Sequence, residues 1–131
     1  MITDNTTGAQ WAVRAGPRAA WGKVRSEYAT YDGERASSFF GRVQADVKIF
    51  NSQHIDWNPG AKSSVIFTTY QAASDMVSNF QAFADSVNAA NNPYSPLGLN
   101  SNSFAHQAAA QLGIQRPTPQ AWAPGSNLVL Q

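Results

Sequence analysis

The sequence predicts an α+β fold in which an antiparallel sheet of four to five strands is followed by two C-terminal helices packed on one side. Two observations support this class. Apolar and polar residues alternate along segments before residue 60, as in half-buried strands, whereas a helical period begins near residue 68. A length of 131 residues suits one domain with its own core, so we expect a single domain over 1–131.

The first fifteen residues are predicted to form a β-hairpin. Its turn is Asn5-Thr6-Thr7-Gly8, where Gly8 suits a positive φ. Trp11-Ala12-Val13 forms the second arm, and Ala15-Gly16-Pro17 is expected to break it. The first arm is so short that we expect it to continue a strand preceding Met1 in a longer form of the fold.

Further strands are predicted in three places. The segment 21–31 carries Trp, Val and Tyr residues and ends at the turn Asp32-Gly33. The segment 41–50 alternates regularly, with apolar residues from position 43 to 49 at odd numbers and polar residues at even numbers. After a proline-rich tail, residues 128–130 are predicted to add an edge strand.

The segment 68–91 is predicted to be a helix, because its apolar residues recur at helical spacing. This apolar stripe consists of Met76, Val77, Phe80, Phe83, Ala84 and Val87. Thr68 or Thr69 is the expected N-cap, and Asn91-Asn92-Pro93 is expected to end the helix.

A second, Ala-rich helix is predicted from Ser101 to Leu112, with Gly113 as its C-cap glycine. A polar run, Asn100-Ser101-Asn102-Ser103, stands at its start. Asn and Ser are preferred N-cap residues, and a cap contributes about 1 kcal/mol. One cap accounts for one or two of the four residues, so the run is also a candidate for chemistry.

Chemistry at this junction would use the electropositive mouth of the helix, where unpaired N–H groups stabilise negative charge. Ser101 or Ser103 is the candidate nucleophile, provided that a histidine base comes within hydrogen-bond reach. His106 follows Ser101 by five residues and therefore points to a different side of the helix. His54 would have to come from the sheet.

The composition excludes several classes of function. A net charge of +1 and a charged fraction of 13% offer no basic surface for nucleic acid. The absence of cysteine removes thiolate nucleophiles, disulfides and cysteine metal sites. No apolar run is long enough for a membrane span, and residues 1–4 do not resemble a signal peptide. We expect a protein that is cytoplasmic as synthesised and is exported as part of a larger effector.

Metal and phosphate sites find little support. His54 and Asp56 offer two ligands on one face of a strand, but a third protein ligand, which zinc sites require, is not evident. No glycine-rich run precedes a helix with a lysine. Nothing in the sequence indicates that Asp46 and Asp56 lie close enough together to act as a catalytic carboxylate pair. No metal or cofactor is predicted.

The junction resembles a bacterial group in the circularly permuted NlpC/P60 superfamily, papain-like relatives that include lecithin:retinol acyltransferase. Members have a C-terminal helix that opens with Asn-Cys-x-x-Phe, and the corresponding stretch here is Asn100-Ser101-Asn102-Ser103-Phe104. The flanks "YSPLGL" at 94–99 and "RPTPQAWAPG" at 116–125 also resemble the group. So do "TTGAQWAVRAGP" at 6–17 and "IDWNPG" at 55–60, which extends the resemblance over most of the chain.

The chain departs from this family at two positions. Ser101 occupies the place of the nucleophilic cysteine, and a serine hydroxyl is far harder to ionise than a thiol. The family's histidine would lie on a strand before Thr3. Either that base precedes Met1, or His54 replaces it, or the domain is not catalytic.

By resemblance, the activity would be amide or ester hydrolysis, or acyl transfer, on peptidoglycan peptides or lipids, in a domain of a secreted bacterial toxin or effector. The implied site combines a nucleophile, a base, an orienting group and backbone oxyanion donors: Ser101, His54, Asp56 or Asn100, and the N–H groups of residues 101–103, including Asn102 and Ser103. An immunity protein or the parent chain is the expected protein partner.

Two alternatives have no catalysis. In the first, the same fold is a binding module that holds a peptide, a glycan or a partner chain through its tyrosines and its four tryptophans, Trp11, Trp21, Trp57 and Trp122. In the second, the chain is a structural subunit that pairs through an open sheet edge at residues 1–5.

Overall fold

The computed structural model describes residues 1–17, 41–61, 65–95, 97–114 and 129–130. In chain order these residues form strands β1 (Ile2–Thr3), β2 (Gln10–Pro17) and β3 (Val43–Ile49), then helices α1 (Ala73–Ala90) and α2 (Ser101–Gln111). The strands make an antiparallel sheet of order β1-β2-β3. The predicted α+β class, with an antiparallel sheet and two helices, is confirmed.

Two of the predicted strands fall wholly or partly outside the described residues. The segment 21–31 lies outside them entirely, as does Leu128 at the start of the predicted edge strand. Val129 and Leu130 are described and belong to no strand, but Leu130 is buried in the core.

The hairpin of β1 and β2 is confirmed, and its turn is stabilised by Asp4. The Asp4 carboxylate accepts hydrogen bonds from the Thr7 hydroxyl (2.7 Å) and the Thr6 N–H (2.8 Å). These two bonds lower the pKa of Asp4 below its ordinary value. Gly8 closes the turn at φ 74°, a left-handed conformation that favours glycine.

The predicted break at Ala15-Gly16-Pro17 is wrong, because β2 continues through Pro17, which lies opposite Val43. The reason is the direction of the backbone groups. On β3 the N–H groups of Val43 and Ala45 point away from β2, so the pairs at odd positions exchange no ladder hydrogen bonds. The N–H that Pro17 lacks is therefore not needed by the β2–β3 ladder.

The two faces of the sheet follow the numbering, since odd residues of β2 lie opposite odd residues of β3. On the odd face, Ala15, Val43 and Ala45 are buried and form one core cluster with residues of the helices, including Ala84, Val87 and Phe104. The even face carries Arg14 on β2 and Gln44, Asp46 and Lys48 on β3. Both helices thus contribute to the core on the odd face, which agrees with the prediction that they pack on one side.

The first helix is shorter at its start than predicted. Its N-cap is Ala72, which makes no side-chain cap hydrogen bond, so the expected cap at Thr68 or Thr69 is wrong. Thr69 instead accepts a hydrogen bond from the Gln71 N–H, which stabilises a turn before the helix. The predicted end is confirmed, because Asn91 adopts the left-handed conformation at φ 54°.

The outer edge of β3, the edge that faces away from β2, is covered over its first half. The Asn92 carbonyl accepts from the Val43 N–H, and the Tyr94 N–H donates to the Gly41 carbonyl, both at 2.8 Å. Next along the edge, the Asn88 side chain of α1 accepts from the Ala45 N–H at 2.7 Å and donates to the Ala45 carbonyl at 2.9 Å. The amide of Asn88 thus takes the place of a neighbouring strand.

Among the described residues, no helix has both the length and the apolar character needed to cross a lipid bilayer.

Candidate functional site

The loop before α2 is a compact turn. The Ser95 N–H donates to the Leu99 carbonyl at 2.8 Å, and the Gly98 N–H donates to the Ser95 carbonyl at 3.0 Å. A Cβ at position 98 would lie 3.1 Å from the Ser95 side chain, so a larger residue there would require the Ser95 side chain to shift by a few tenths of an ångström. This loop delivers Asn100 to the start of the helix.

Asn100 and Ser103 form a capping box at the start of α2. The Asn100 side-chain oxygen accepts from the N–H groups of Asn102 (2.8 Å) and Ser103 (3.4 Å), and the Ser103 hydroxyl accepts from the Asn100 N–H at 3.3 Å. Both capping side chains are buried. The polar run therefore satisfies the orphan N–H groups of the first turn.

This geometry alters the predicted oxyanion site. The N–H groups of Asn102 and Ser103, assigned to oxyanion binding by the resemblance, are directed at the Asn100 side chain. Asn100, the alternative orienting residue, is itself the acceptor in those bonds. An oxyanion could use these N–H groups only by displacing a buried cap.

Ser101, the residue at the nucleophile position, is the first residue of α2 and is half-buried. Its neighbour in the motif, Phe104, is almost completely buried and stacks on Phe83 with ring centroids 5.2 Å apart. The motif therefore combines a helix cap, made by Asn100 and Ser103, with a core anchor, Phe104. The Ser101 side chain takes part in neither among the described contacts.

His54 and Asp56 were predicted to lie on one face of a strand, but they lie in a turn after β3. The His54 Nδ1 accepts a hydrogen bond from the Asp56 N–H at 3.1 Å, which places the proton of the neutral ring on Nε2. Nε2 is buried and has no hydrogen-bond partner among the described residues. His54 is thus held as an acceptor for its own turn, with its ring 5.1 Å from that of Phe50.

Asp56 pairs with a residue of the sheet and not with Ser101. Its Oδ2 lies 3.0 Å from the Arg14 Nε, and Arg14 belongs to the even face. Lys48, on the same face, lies 3.4 Å from Asp46. These two cations and His54 contribute to an open cleft of about 470 Å³, but each cation there has a carboxylate partner.

The structure does not bring His54 together with Ser101. The turn of His54 contacts the even face beyond Ile49, whereas α2 packs on the odd face through Phe104. The loop before Ser101 is bonded to the opposite end of β3, near Val43. The contacts around the two residues thus lie on different faces and at different ends of the sheet, and no hydrogen bond joins Ser101 to His54 within the described ranges.

Metal chemistry gains no support from this geometry. Within the described ranges, no three His, Cys, Asp or Glu side chains lie close enough together to hold a metal ion. The second histidine, His106, lies in α2, and its Nδ1 is enclosed without a hydrogen-bond partner among the residues described.

The tryptophans of the predicted binding module are only partly described. Trp11 is half-buried on β2. Trp57 is exposed, and its ring lies 5.3 Å from that of Phe50. Trp21 and Trp122 lie outside the described residues.

Comparison of the chain with protein-family models, with curated proteins and with solved structures finds no match.

Two features that sequence reasoning missed stand out beside the predicted site. The outer edge of β3 is covered as far as Ala45, but the N–H and C=O groups of Val47 and Ile49 have no partner there among the described residues. The segment Val65–Tyr70 exposes all of its apolar side chains. Its run of β-branched and aromatic residues was the available sequence signal, because such a run is typical of a strand.

The capping geometry predicts how three substitutions at the junction differ. Asn100→Ala should lower the free energy of unfolding by about 1–2 kcal/mol, because two N–H groups lose their acceptor. Ser103→Ala should lower the free energy of unfolding by about 1 kcal/mol, because the buried Asn100 N–H loses its acceptor. Ser101→Ala should change stability by less than about 0.5 kcal/mol. Urea denaturation followed by circular dichroism measures all three, and a larger loss for Ser101→Ala than for Asn100→Ala would contradict the capping box.

Proposed function

We propose that this chain is a non-catalytic binding module that holds an extended segment of polypeptide along the outer edge of β3. The observation that carries the proposal is the part of this edge, at Val47 and Ile49, that has no hydrogen-bond partner among the residues the structure describes. An edge strand with free N–H and C=O groups is a template for pairing with another chain.

The direction of the backbone groups supports this mode of binding. Odd residues of β3 point their N–H and C=O groups away from β2, as the bonds of Val43 and Ala45 demonstrate. The same alternation directs the groups of Val47 and Ile49 outward. An added strand would thus gain hydrogen bonds at two successive outward positions.

The surroundings of the edge favour an apolar, uncharged segment. The Ile49 side chain is 65% exposed, and its burial under a bound segment would be favourable by roughly 1.5–3 kcal/mol if complete. Lys48 and Asp46 form an ion pair on the even face, so the edge has no net charge to attract a charged ligand.

The resemblance to the circularly permuted NlpC/P60 superfamily fits this proposal as a relationship of fold. We propose that the chain has the papain-like permuted architecture with a sheet of four to five strands, and that it serves in a bacterial effector or toxin. Three observations support the loss of hydrolase or acyltransferase activity in this chain: the serine at position 101 in place of cysteine, the contacts of the His54 turn with the other face of the sheet, and the cap at Asn100.

A strand-like peptide tests the binding mode. A fluorescein-labelled hexapeptide of alternating valine and threonine should raise its fluorescence anisotropy on addition of the chain. Ile49→Pro should weaken this binding at least about tenfold, a change of 1.4 kcal/mol, because it removes one outward N–H and leaves the β2 ladder intact. The matched control Ile49→Ala retains the N–H and should lose less affinity than Ile49→Pro, with melting temperatures confirming that both variants fold.

Two results would contradict the proposal. Equal peptide binding by the wild type and by Ile49→Pro would show that the β3 edge is not the site. Covalent labelling by a fluorophosphonate probe that disappears in Ser101→Ala would show that the chain is a serine hydrolase after all.

A further inference from the structure

We infer that the segment held at the β3 edge is Val65–Tyr70 of a second copy of this chain, exchanged reciprocally between two protomers. This inference rests on the proposed function, because it uses the same edge at Val47 and Ile49. It adds the identity of the partner.

The segment Val65–Tyr70 has the properties of a strand without a neighbour. All six of its residues are β-branched or aromatic, the types that favour strands. It belongs to no helix or strand in the single chain, and its side chains are turned to solvent: Val65 is 85% exposed, Ile66 is 62% exposed, and Tyr70 is fully exposed. Leaving so many apolar groups in water is unfavourable, and association would bury them.

The segment and the open edge lie at the same end of the molecule. Asn88, near the end of α1, bonds to Ala45, and Tyr94, in the loop after it, bonds to Gly41. The chain therefore runs antiparallel to β3 as it leaves α1, and the earlier part of α1 extends over the sheet towards the Ile49 end, since the helix contacts both β3 and β1. Ala73 precedes Asn88 by fifteen helical residues, about 22 Å, whereas Ile49 follows Ala45 by only about 13 Å of strand. The start of α1 therefore lies at the Ile49 end of the sheet, where the helix has crossed from β3 towards β1, which it also contacts.

This placement permits a symmetric exchange. A two-fold axis near the Ile49 end would set the segment of each protomer against the edge of the other, so that both contacts repeat. Tyr70 is fully exposed, and a large aromatic side chain buries roughly 150–250 Å². Phe67 is 41% exposed and adds a smaller area. Together with Val65, Ile66 and Ile49, and doubled by symmetry, they bring the interface past the roughly 1,000 Å² that specific association needs.

Charge also favours a second copy. Residues 65–74 contain no charged side chain, and the edge that receives them carries the mutually paired Asp46 and Lys48. No like charges would be brought together when two copies join through these elements.

Sedimentation velocity of the full chain over a concentration series tests the inference. We expect the wild type to dimerise, and we expect Ile66→Lys to raise the dimer dissociation constant at least about tenfold, since it would place a charge in the paired segment. The matched control is Leu97→Lys, at a residue that is 71% exposed and outside both elements; it should dimerise like the wild type. Melting temperatures confirm that both variants fold.

A mixing experiment then examines which elements meet. Ile66→Lys retains the β3 edge and Ile49→Pro retains the segment, so an equimolar mixture restores one of the two contacts and should dimerise more strongly than either variant alone.

Since the chain has no native cysteine, Ile49→Cys mixed with Phe67→Cys should form a disulfide between protomers under mild oxidation. A single chain that carries both Ile49→Cys and Phe67→Cys should form few disulfides within itself when the solution is dilute.

The failures are distinguishable. A wild-type monomer that still binds the valine–threonine peptide at Ile49 would overturn the second copy as partner and leave the proposed function standing. A disulfide formed chiefly within one chain of the double variant would show that the segment covers its own edge and would overturn the inference. A wild-type dimer unaffected by Ile66→Lys and Ile49→Pro would place the interface elsewhere and also overturn it.

Discussion

Replacing Phe104 with alanine is expected to lower the free energy of unfolding by about 3–5 kcal/mol. The Phe104 side chain is 1% exposed and joins the core cluster with Val43, Ala45 and Ala84. It also stacks on Phe83, with an interplanar angle of 17°. Its removal would leave a cavity where α2, α1 and the sheet meet, and the capped start of α2 allows the helix little freedom to fill it.

Urea denaturation of the variant measures this loss. Phe104→Leu retains most of the apolar volume and should cost clearly less, which keeps the experiment informative if Phe104→Ala does not fold. Gln111→Ala, at an exposed position near the end of the same helix, should stay within about 0.5 kcal/mol of the wild type. A cost below about 1 kcal/mol for Phe104→Ala would show that α2 is not anchored in this core.

Local patterns were sufficient to predict the elements whose structure depends on near neighbours. The alternation from Val43 to Ile49 predicted both the strand and its buried face, because period two fixes which side chains share a face. Asn91 and Gly113 marked helix ends, since both adopt the positive φ that ends a helix. The turn at Gly8 was predictable for the same reason.

Errors arose where a residue's role depends on the opposite strand or on packing. Pro17 looks like a strand breaker in isolation, yet it faces Val43 at a pair that needs no N–H. Thr69 resembles an N-cap, but its hydroxyl stabilises the turn before α1 and the helix begins at Ala73. Neither outcome can be derived without knowing the register or the course of the neighbouring chain.

The candidate site was harder to predict, because its residues come from distant parts of the sequence. The run Asn100–Ser103 is compatible with both a cap and a reactive site, and only the bonds of the Asn100 side chain distinguish them. His54 is a candidate base for Ser101 from the sequence, because a sequence does not show on which face of a sheet a later turn lies. The extent of the open edge near Ile49 could not be predicted from the sequence, because the edge is covered as far as Ala45 by Asn88, which lies 43 residues from Ala45.

Asn88→Ala is expected to be the most destabilising polar substitution among those considered, with a loss of about 2–4 kcal/mol. Ala45 is 1% exposed, so removal of the amide would leave its N–H and its carbonyl buried without partners, at about 1–3 kcal/mol for each group. The better helix propensity of alanine would offset only about 0.5 kcal/mol of this loss. Asn79→Ala is the matched control, because Asn79 is an exposed residue of the same helix, and it should be neutral or slightly stabilising.

Asn88→Asp separates the two hydrogen bonds of this amide. An ionised carboxylate at position 88 would still accept from the Ala45 N–H but could not donate to the Ala45 carbonyl, whereas a protonated carboxyl group would do both. The neutral form is therefore favoured in the folded state, which raises the folded pKa above the unfolded value of about 3.9. The variant's deficit relative to the wild type should be smallest below that unfolded pKa and should grow as the pH rises through the folded pKa. A deficit that does not change with pH in urea titrations would mean that the bond donated to the Ala45 carbonyl contributes nothing to stability.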